Sequence, residues 1–378
     1  MNLQRYYRPE LDVFRFFAFL FVFCTHRMDL APIDVKEYYW VYQVSLVGVF
    51  GVPLFFLLSA FLITELLLRE KDATGSVRPQ SFYIRRILRI WPLYFFVLTG
   101  FLVLSVTTKN FGVITTGNFL SFSLFAGNWY ISFNEWVSCY PQNPLWSISV
   151  EEQFYLLIPL LAVFFTRKGL KAVAFTFLVI AYVVIFSYGR HPREGFSSEW
   201  TNSFVQFQFF AAGILLSVYL RGRQPRFSIP LRALLFIAGI GCWLIASLVF
   251  KVKADAPHLS NSAEAMSGWA CILLGALLMF LSMLGTPGKY LPKPVIFLGR
   301  ISYGLYMFHN LFYYLIYHLY KDQLTLFATW LHLPEQKNNI GFVLAFIGTV
   351  VTAMLSYRFL ERPFLHLKRR FTVIPSRD

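Results

Sequence analysis

Residues 44–68 read VSLVGVFGVPLFFLLSAFLITELLL, and Glu65 is the only charge among them. At about 1.5 Å of rise per residue, a helix of this length exceeds the roughly 30 Å of a bilayer's hydrocarbon core. Comparable apolar runs lie at 12–31, 90–107, 147–166, 170–188, 202–220, 230–250, 264–284, 299–320 and 340–360. The composition agrees: 57% of residues are hydrophobic, 19% aromatic and 14% charged, whereas soluble domains carry about 25% charged residues. A soluble fold could not hide that much apolar surface. The fold class expected is therefore all-α, a polytopic integral membrane bundle of about ten transmembrane helices. Residues 1–378 form a single membrane domain in this reading, with no soluble domain. The N-terminal MNLQRYYRPELDVFRFF enters the first run without a small-residue cleavage site, so it reads as a retained first helix.

The net charge of +15 raises nucleic acid as a partner. The basic residues argue otherwise, because they sit in short segments between apolar runs and not along one polar face. With the N-terminus inside, the inward segments hold 24 Lys and Arg and the outward segments nine, with Arg15 inside the first run. That asymmetry places both termini in the cytoplasm. Cys24, Cys139, Cys242 and Cys271 have no metal-like spacing, and neither a disulfide framework nor a metal site is expected. The longest non-spanning piece, about 108–146, contains GNFLSFSLFAGNWYISFNEW and is expected to lie along the outer interface or to dip into the bundle.

Ionisable groups at membrane depth cost about 2.5–3.5 kcal/mol each on insertion scales, so each needs a partner or a task. Arg15 and His26 are eleven residues apart, which is about three helical turns plus 20° and about 16 Å of rise, so they share a face. Taken singly, Arg15 could snorkel and His26 could cap a neighbouring carbonyl. In PLWSISVEEQFYLLIPLL, Ser147, Glu151 and Tyr155 fall at i, i+4 and i+8 on one stripe. Glu151 is expected at the depth of His26, where a carboxylate would orient an imidazole acting as a general base. An N-terminal carboxylate favoured by the helix dipole is the plainer reading, and it suits Glu152 better.

Arg85, Arg86 and Arg89 crowd the inner end of the third run. Guanidinium forks match phosphate oxygens, although simple anchoring on the positive side explains many such clusters. Gly48, Gly51, Ser59 and Ala60 permit close helix approach or passage of a slender chain. His309 falls near the middle of the ninth run, as a functional donor or a packing residue. Glu361 is expected to pair with Arg358 or Arg362.

These positions coincide with motifs of a known family. From ELDVFRFFAFLFVFCTH to SYRFLERPF, the chain resembles the acyltransferase 3 family of membrane O-acyltransferases, of the polysaccharide O-acetylase type. Arg15 and His26 match its Arg, ten residues, His signature, and GVPLFFLLSAFLIT its second-helix motif. FYIRRILRIWPLY matches its basic motif, Ser147 and Glu151 its Ser, three residues, Glu motif, and GRISYGLYMFH its ninth-helix motif. Two residues depart from the pattern: Ala60 stands where glycine is usual, and Asn310 where proline is usual.

The resemblance implies transfer of an acyl group, acetyl above all, from acyl-coenzyme A made in the cytoplasm to a hydroxyl on a carbohydrate, glycolipid or small molecule. Arg15, Arg85, Arg86 and Arg89 would hold the coenzyme's phosphates, and no metal is required. His26 would be the general base, oriented by Glu151, with Tyr155, Ser147 or His309 donating to the oxyanion. A covalent acyl-histidine is the main variant. The implied location is a bacterial inner membrane, with the lipid bilayer as surroundings and an extracytoplasmic protein as a partner. The rival reading from another class is a proton-coupled exporter of a glycan or small molecule, although no inverted repeat or paired broken helices are visible.

Overall fold

The computed structural model describes residues 6–30, 39–108, 111–191, 198–254 and 261–374, the side chains of 27–30 excepted. Arg5, Lys36, Lys109, Arg193 and Arg377 of the charge count lie outside these residues, as does the Arg27 side chain. Every element described is helical. The chain runs through α1 (Pro9–Leu30), α2 (Tyr39–Leu46), α3 (Gly51–Thr74), α4 (Pro79–Thr107), α5 (Thr116–Ser123) and α6 (Gly127–Asn134). It continues through α7 (Trp146–Phe164), α8 (Arg167–Arg190), α9 (Ser198–Thr201), α10 (Ser203–Leu220), α11 (Ile229–Leu248) and α12 (Ser262–Met283). The last elements are α13 (Lys293–Arg300), α14 (Ser302–Tyr314), α15 (Lys321–Trp330), α16 (Lys337–Ser356) and α17 (Arg362–Lys368).

Among the described residues, eight helical stretches are long and apolar enough to cross a membrane, so the protein is a polytopic membrane bundle. The two other expected runs correspond to α1, whose first turns carry Glu10, Asp12 and Arg15, and to the pair α13 and α14, interrupted at Ile301. The third run begins well before its apolar part. Pro79 opens α4 at a position where the missing N–H is no loss, and Glu70 steadies the turn by accepting from the Arg78 N–H at 2.9 Å. Arg85, Arg86 and Arg89 therefore project from a helix and not from a loop.

Burial separates the bundle's centre from its edge. In α3 and α10, 72% of the spanning window is buried inside the protein, against 22% in α8 and α11. The outer helices keep large apolar groups such as Val179, Val183 and Ile237 exposed, the pattern of a lipid-facing wall. Small residues bring α3 against its neighbours. A Cβ built on Gly51 would sit 2.5 Å from the Ala18 carbonyl oxygen of α1, and one on Gly213 of α10 2.4 Å from that of Leu57. Ala60 is fully buried at the second contact. Of the four small residues of the second run, three thus serve helix packing, and Ser59 alone faces a cavity.

The 108–146 segment dips into the bundle. Asn118, Asn128 and Gln142 are buried, and their amide groups donate within the protein, Gln142 to Asn118 at 2.6 Å and Asn128 to the Thr201 carbonyl at 3.0 Å, although Gln142 Oε1 has no partner among the described residues. Buried amides left unpaired at this depth would be costly.

Candidate functional site

α1, α3, α4, α7, α14 and the C-terminal helix enclose a cavity of about 180 Å³. Its basic side chains are Arg8, Arg15, Arg86, Arg89, Arg300 and Lys368, against three acidic ones, Asp12, Glu151 and Glu361. An excess of cations around such a cavity favours an anionic guest.

α1 supplies Arg15, whose Nη1 lies 2.8 Å from Asp12 Oδ1, one turn earlier on the same face. Asp12 also accepts from the Tyr7 hydroxyl at 3.0 Å. Arg15 is thus held by a buried carboxylate that the sequence reading passed over. α7 presents Ser147, Glu151 and Tyr155 to the cavity from a single stripe, as their spacing predicts. Glu151 Oε1 accepts from Ser59 Oγ at 2.8 Å, and Ser59 in turn accepts from the Tyr155 hydroxyl at 3.3 Å. The Arg86 guanidinium lies over the Tyr155 ring, 5.4 Å from its centroid.

The two histidines stand together elsewhere. Neither is among the described residues that line the cavity. His26 and His309 have ring centroids 5.1 Å apart, and His26 Nδ1 lies 3.3 Å from the Tyr140 hydroxyl. His309 is fully buried, with Nδ1 2.6 Å from the Tyr306 carbonyl, while its Nε2 has no hydrogen-bond partner among the described residues. Tyr306 joins the histidines to the cavity, since its hydroxyl is 2.8 Å from Ser147 Oγ and it lines the cavity itself.

This arrangement bears on three expectations. Glu151 was expected to orient His26; its carboxylate accepts from Ser59, while Ser147, Tyr306 and His309 lead from the cavity wall to His26. Tyr140, carried there by the inward-dipping segment, is one of the groups on the His26 ring. Arg85 was grouped with Arg86 and Arg89, but its guanidinium is taken up by Glu70 at 3.4 Å and by the Phe371 carbonyl at 2.6 Å. Glu361 was expected to pair with Arg358 or Arg362. A turn of π-helix over Tyr357–Glu361 points it into the cavity instead, where it accepts from Ser356 at 3.2 Å.

Asn310, one of the two departures from the family pattern, donates to the Tyr140 carbonyl at 3.2 Å and so helps to hold the residue that meets His26. Tyr140 was missed because nothing in its own run of sequence distinguishes it from other aromatic residues of the loop. Among the described residues, no group of three or more His, Cys, Asp or Glu could hold a metal ion.

Comparison with known proteins bears on this site. A Staphylococcus aureus (strain COL) protein provisionally named an O-acetyltransferase is 27% identical over 339 residues, covering 84% of this chain and 52% of that protein. O-acetyltransferase OatA of Staphylococcus aureus (strain NCTC 8325 / PS 47) is 25% identical over 376 residues, covering 94% of this chain and 57% of OatA. The chain therefore spans about half the length of the curated relatives it matches. No solved structure matches. The family model described as an acyltransferase domain matches residues 8–358, nearly the whole chain, and the protein belongs to that family.

Proposed function

We propose that this protein is a membrane-embedded O-acyltransferase that moves an acyl group, acetyl in the simplest case, from acyl-coenzyme A to a hydroxyl of a carbohydrate or glycolipid. The observation that carries this reading is the cation-lined cavity whose polar wall leads through Ser147 and Tyr306 to a histidine pair. The names of its relatives, O-acetyltransferases, support acetyl as the group transferred. In this reading Arg15, Arg86 and Arg89 hold the coenzyme's phosphates at the cytoplasmic end, and the extended thiol arm runs along Ser59, Glu151 and Ser147 toward His26.

The chemistry follows from the ring nitrogens. With Tyr140 accepting from the His26 Nδ1–H, the lone pair lies on Nε2, which takes the proton of the acceptor hydroxyl. The alkoxide oxygen attacks the thioester carbonyl carbon, and the Tyr306 or Ser147 hydroxyl donates to the oxyanion that forms. Collapse breaks the C–S bond, and the departing thiolate recovers the proton from His26. Glu151, bonded to Ser59 and adjoining Tyr155, keeps the polar wall of the channel in register. The surroundings proposed are a bacterial inner membrane, with an extracytoplasmic protein as a partner in delivering the acceptor.

His26→Ala decides the assignment. The purified variant is expected to bind acyl-coenzyme A normally while transfer of labelled acetyl falls by about 10²–10⁴-fold, the range of a lost general base. Transfer at the normal rate would sink it. The same assay separates the exporter reading, since an exporter neither cleaves the thioester nor labels a hydroxyl.

A further inference from the structure

α14 packs against both α1 and α16, and His309 and Asn310 are consecutive residues in its middle. Both are fully buried, whereas His26 and Tyr140, which adjoin them, are half-buried. The two buried residues thus stand behind the histidine that the acyl acceptor has to reach.

Backbone carbonyls fix which atom each side chain presents. A carbonyl oxygen only accepts, so the Tyr306 carbonyl 2.6 Å from His309 Nδ1 puts the proton there and leaves the lone pair of the neutral ring on Nε2. In the same way the Tyr140 carbonyl, 3.2 Å from Asn310 Nδ2, takes the donor end of the carboxamide and leaves Oδ1 for another partner. Neither His309 Nε2 nor Asn310 Oδ1 has one among the described residues. Buried polar atoms are normally paired, and leaving one unpaired at membrane depth is costly. Both atoms are hydrogen-bond acceptors, so the molecule that completes them must bring donors. A hydroxyl-rich molecule does; an ionised carboxylate or phosphate, which only accepts, does not.

We propose that Asn310 is a specificity-determining residue for the acyl acceptor, its Oδ1 accepting from a hydroxyl adjacent to the one acylated, with His309 Nε2 left for a second such group. Resting on the O-acyltransferase reading above, this assignment narrows the substrate class from any alcohol to a vicinal diol or polyol, as a sugar ring provides. The reacting hydroxyl gives its proton to His26, and Asn310 holds its neighbour, which fixes which hydroxyl is presented. Asn310 is also one of the two positions at which this chain departs from the family pattern. The usual proline has no side-chain oxygen, so the preference belongs to this chain and not to the shared motif.

Three alcohols of one ring size test this on the purified full chain in nanodiscs, with labelled acetyl-coenzyme A as donor: cis-cyclohexane-1,2-diol, its monomethyl ether and cyclohexanol. The ether keeps the second oxygen but has no second O–H to donate. The wild type is expected to favour the diol by about tenfold in kcat/KM over either of the others, well beyond the roughly twofold that a second reactive hydroxyl gives by itself. Asn310→Leu, similar in size and without the oxygen, should bring the three alcohols close together, and Asn310→Asp, which keeps an accepting oxygen, should retain the preference. The bond from Asn310 to the Tyr140 carbonyl acts on all three alike, so its loss changes their common rate and not their ratio. Equal use of the three by the wild type, the result if a buried water completes Asn310 instead, overturns the subsite and leaves the transferase reading standing. A preference that survives intact in Asn310→Leu overturns it too, by moving the recognition to another residue. Thioester cleavage with none of the alcohols acetylated overturns both readings.

Discussion

At His26 the decisive neighbour is an aromatic hydroxyl. Tyr140 reaches Nδ1 at 3.3 Å with its ring edge-on to the imidazole, and Asn310 holds the Tyr140 backbone. Tyr140→Phe keeps the ring and removes the hydrogen bond to Nδ1 on which the proposed tautomer rests. It is expected to lower kcat about tenfold, well short of the roughly 10²–10⁴-fold assigned to a general base itself, and to leave KM for the donor unchanged. Steady-state kinetics with the acceptor saturating check this, and an unaltered kcat would remove Tyr140 from the site. Arg15, His26 and Glu151 were legible in the sequence because a charge at membrane depth stands out against its apolar run. The partners that other helices bring to the site were not. Ser59 lies 92 positions from Glu151, Tyr306 159 from Ser147 and Tyr140 170 from Asn310. Helical periodicity gives the face on which a side chain lies, but not which distant helix covers that face.

At the scale of elements, α3 is a spacer between two close approaches. Gly51 at its N-terminus, with Gly48 just before it, meets α1, its middle meets Gly213 of α10, and the remaining face leaves Ser59 to the cavity. In a bilayer, helix association depends on packing and not on a hydrophobic gain, so small residues at a contact matter more than their size suggests. Gly213→Ala puts a methyl 2.4 Å from the Leu57 carbonyl oxygen and 2.6 Å from the Ala60 Cβ, a gap that only backbone movement could open. Such overpacking costs about 1–3 kcal/mol. Gly100 of α4 is the control, because an added Cβ there meets nothing within 4 Å. Gly100→Ala is expected to leave stability equal or raise it by up to about 1 kcal/mol through helix propensity. Thermal unfolding followed by size-exclusion chromatography in detergent should separate the two, with Tm lowered only for Gly213→Ala. The apolar runs themselves announced the spanning helices, since length and composition are local properties. The break at Ile301 and the π turn at Tyr357–Glu361 did not show in the hydropathy pattern. Both serve contacts between elements distant in sequence: Gly299 lies against the Asp12 backbone of α1, and Glu361 faces the cavity.

Across the whole molecule, the basic cavity and the histidine pair sit at two levels of one bundle, joined by the polar wall of Ser147 and Tyr306. In the proposed orientation, read from the 24 to nine distribution of Lys and Arg, the basic end would face the cytoplasm. Donor and acceptor would then approach from opposite sides of the membrane, and the protein would move an acetyl group across without moving coenzyme A. Sealed proteoliposomes test that arrangement directly. Acetyl-coenzyme A, being charged, does not cross the lipid, so donor added outside reaches only those molecules whose basic end faces outward. Proteolytic trimming of a tag fused to the C-terminus counts that fraction. Thioester cleavage by external donor is expected to scale with the trimmed fraction and to rise to the full value when the vesicles are opened with detergent. The labelled hydroxyl product should collect inside the intact vesicles when the acceptor is enclosed there. Cleavage that scales with the opposite fraction would invert the bundle, and product formed only when donor and acceptor share a compartment would place both substrates on one side.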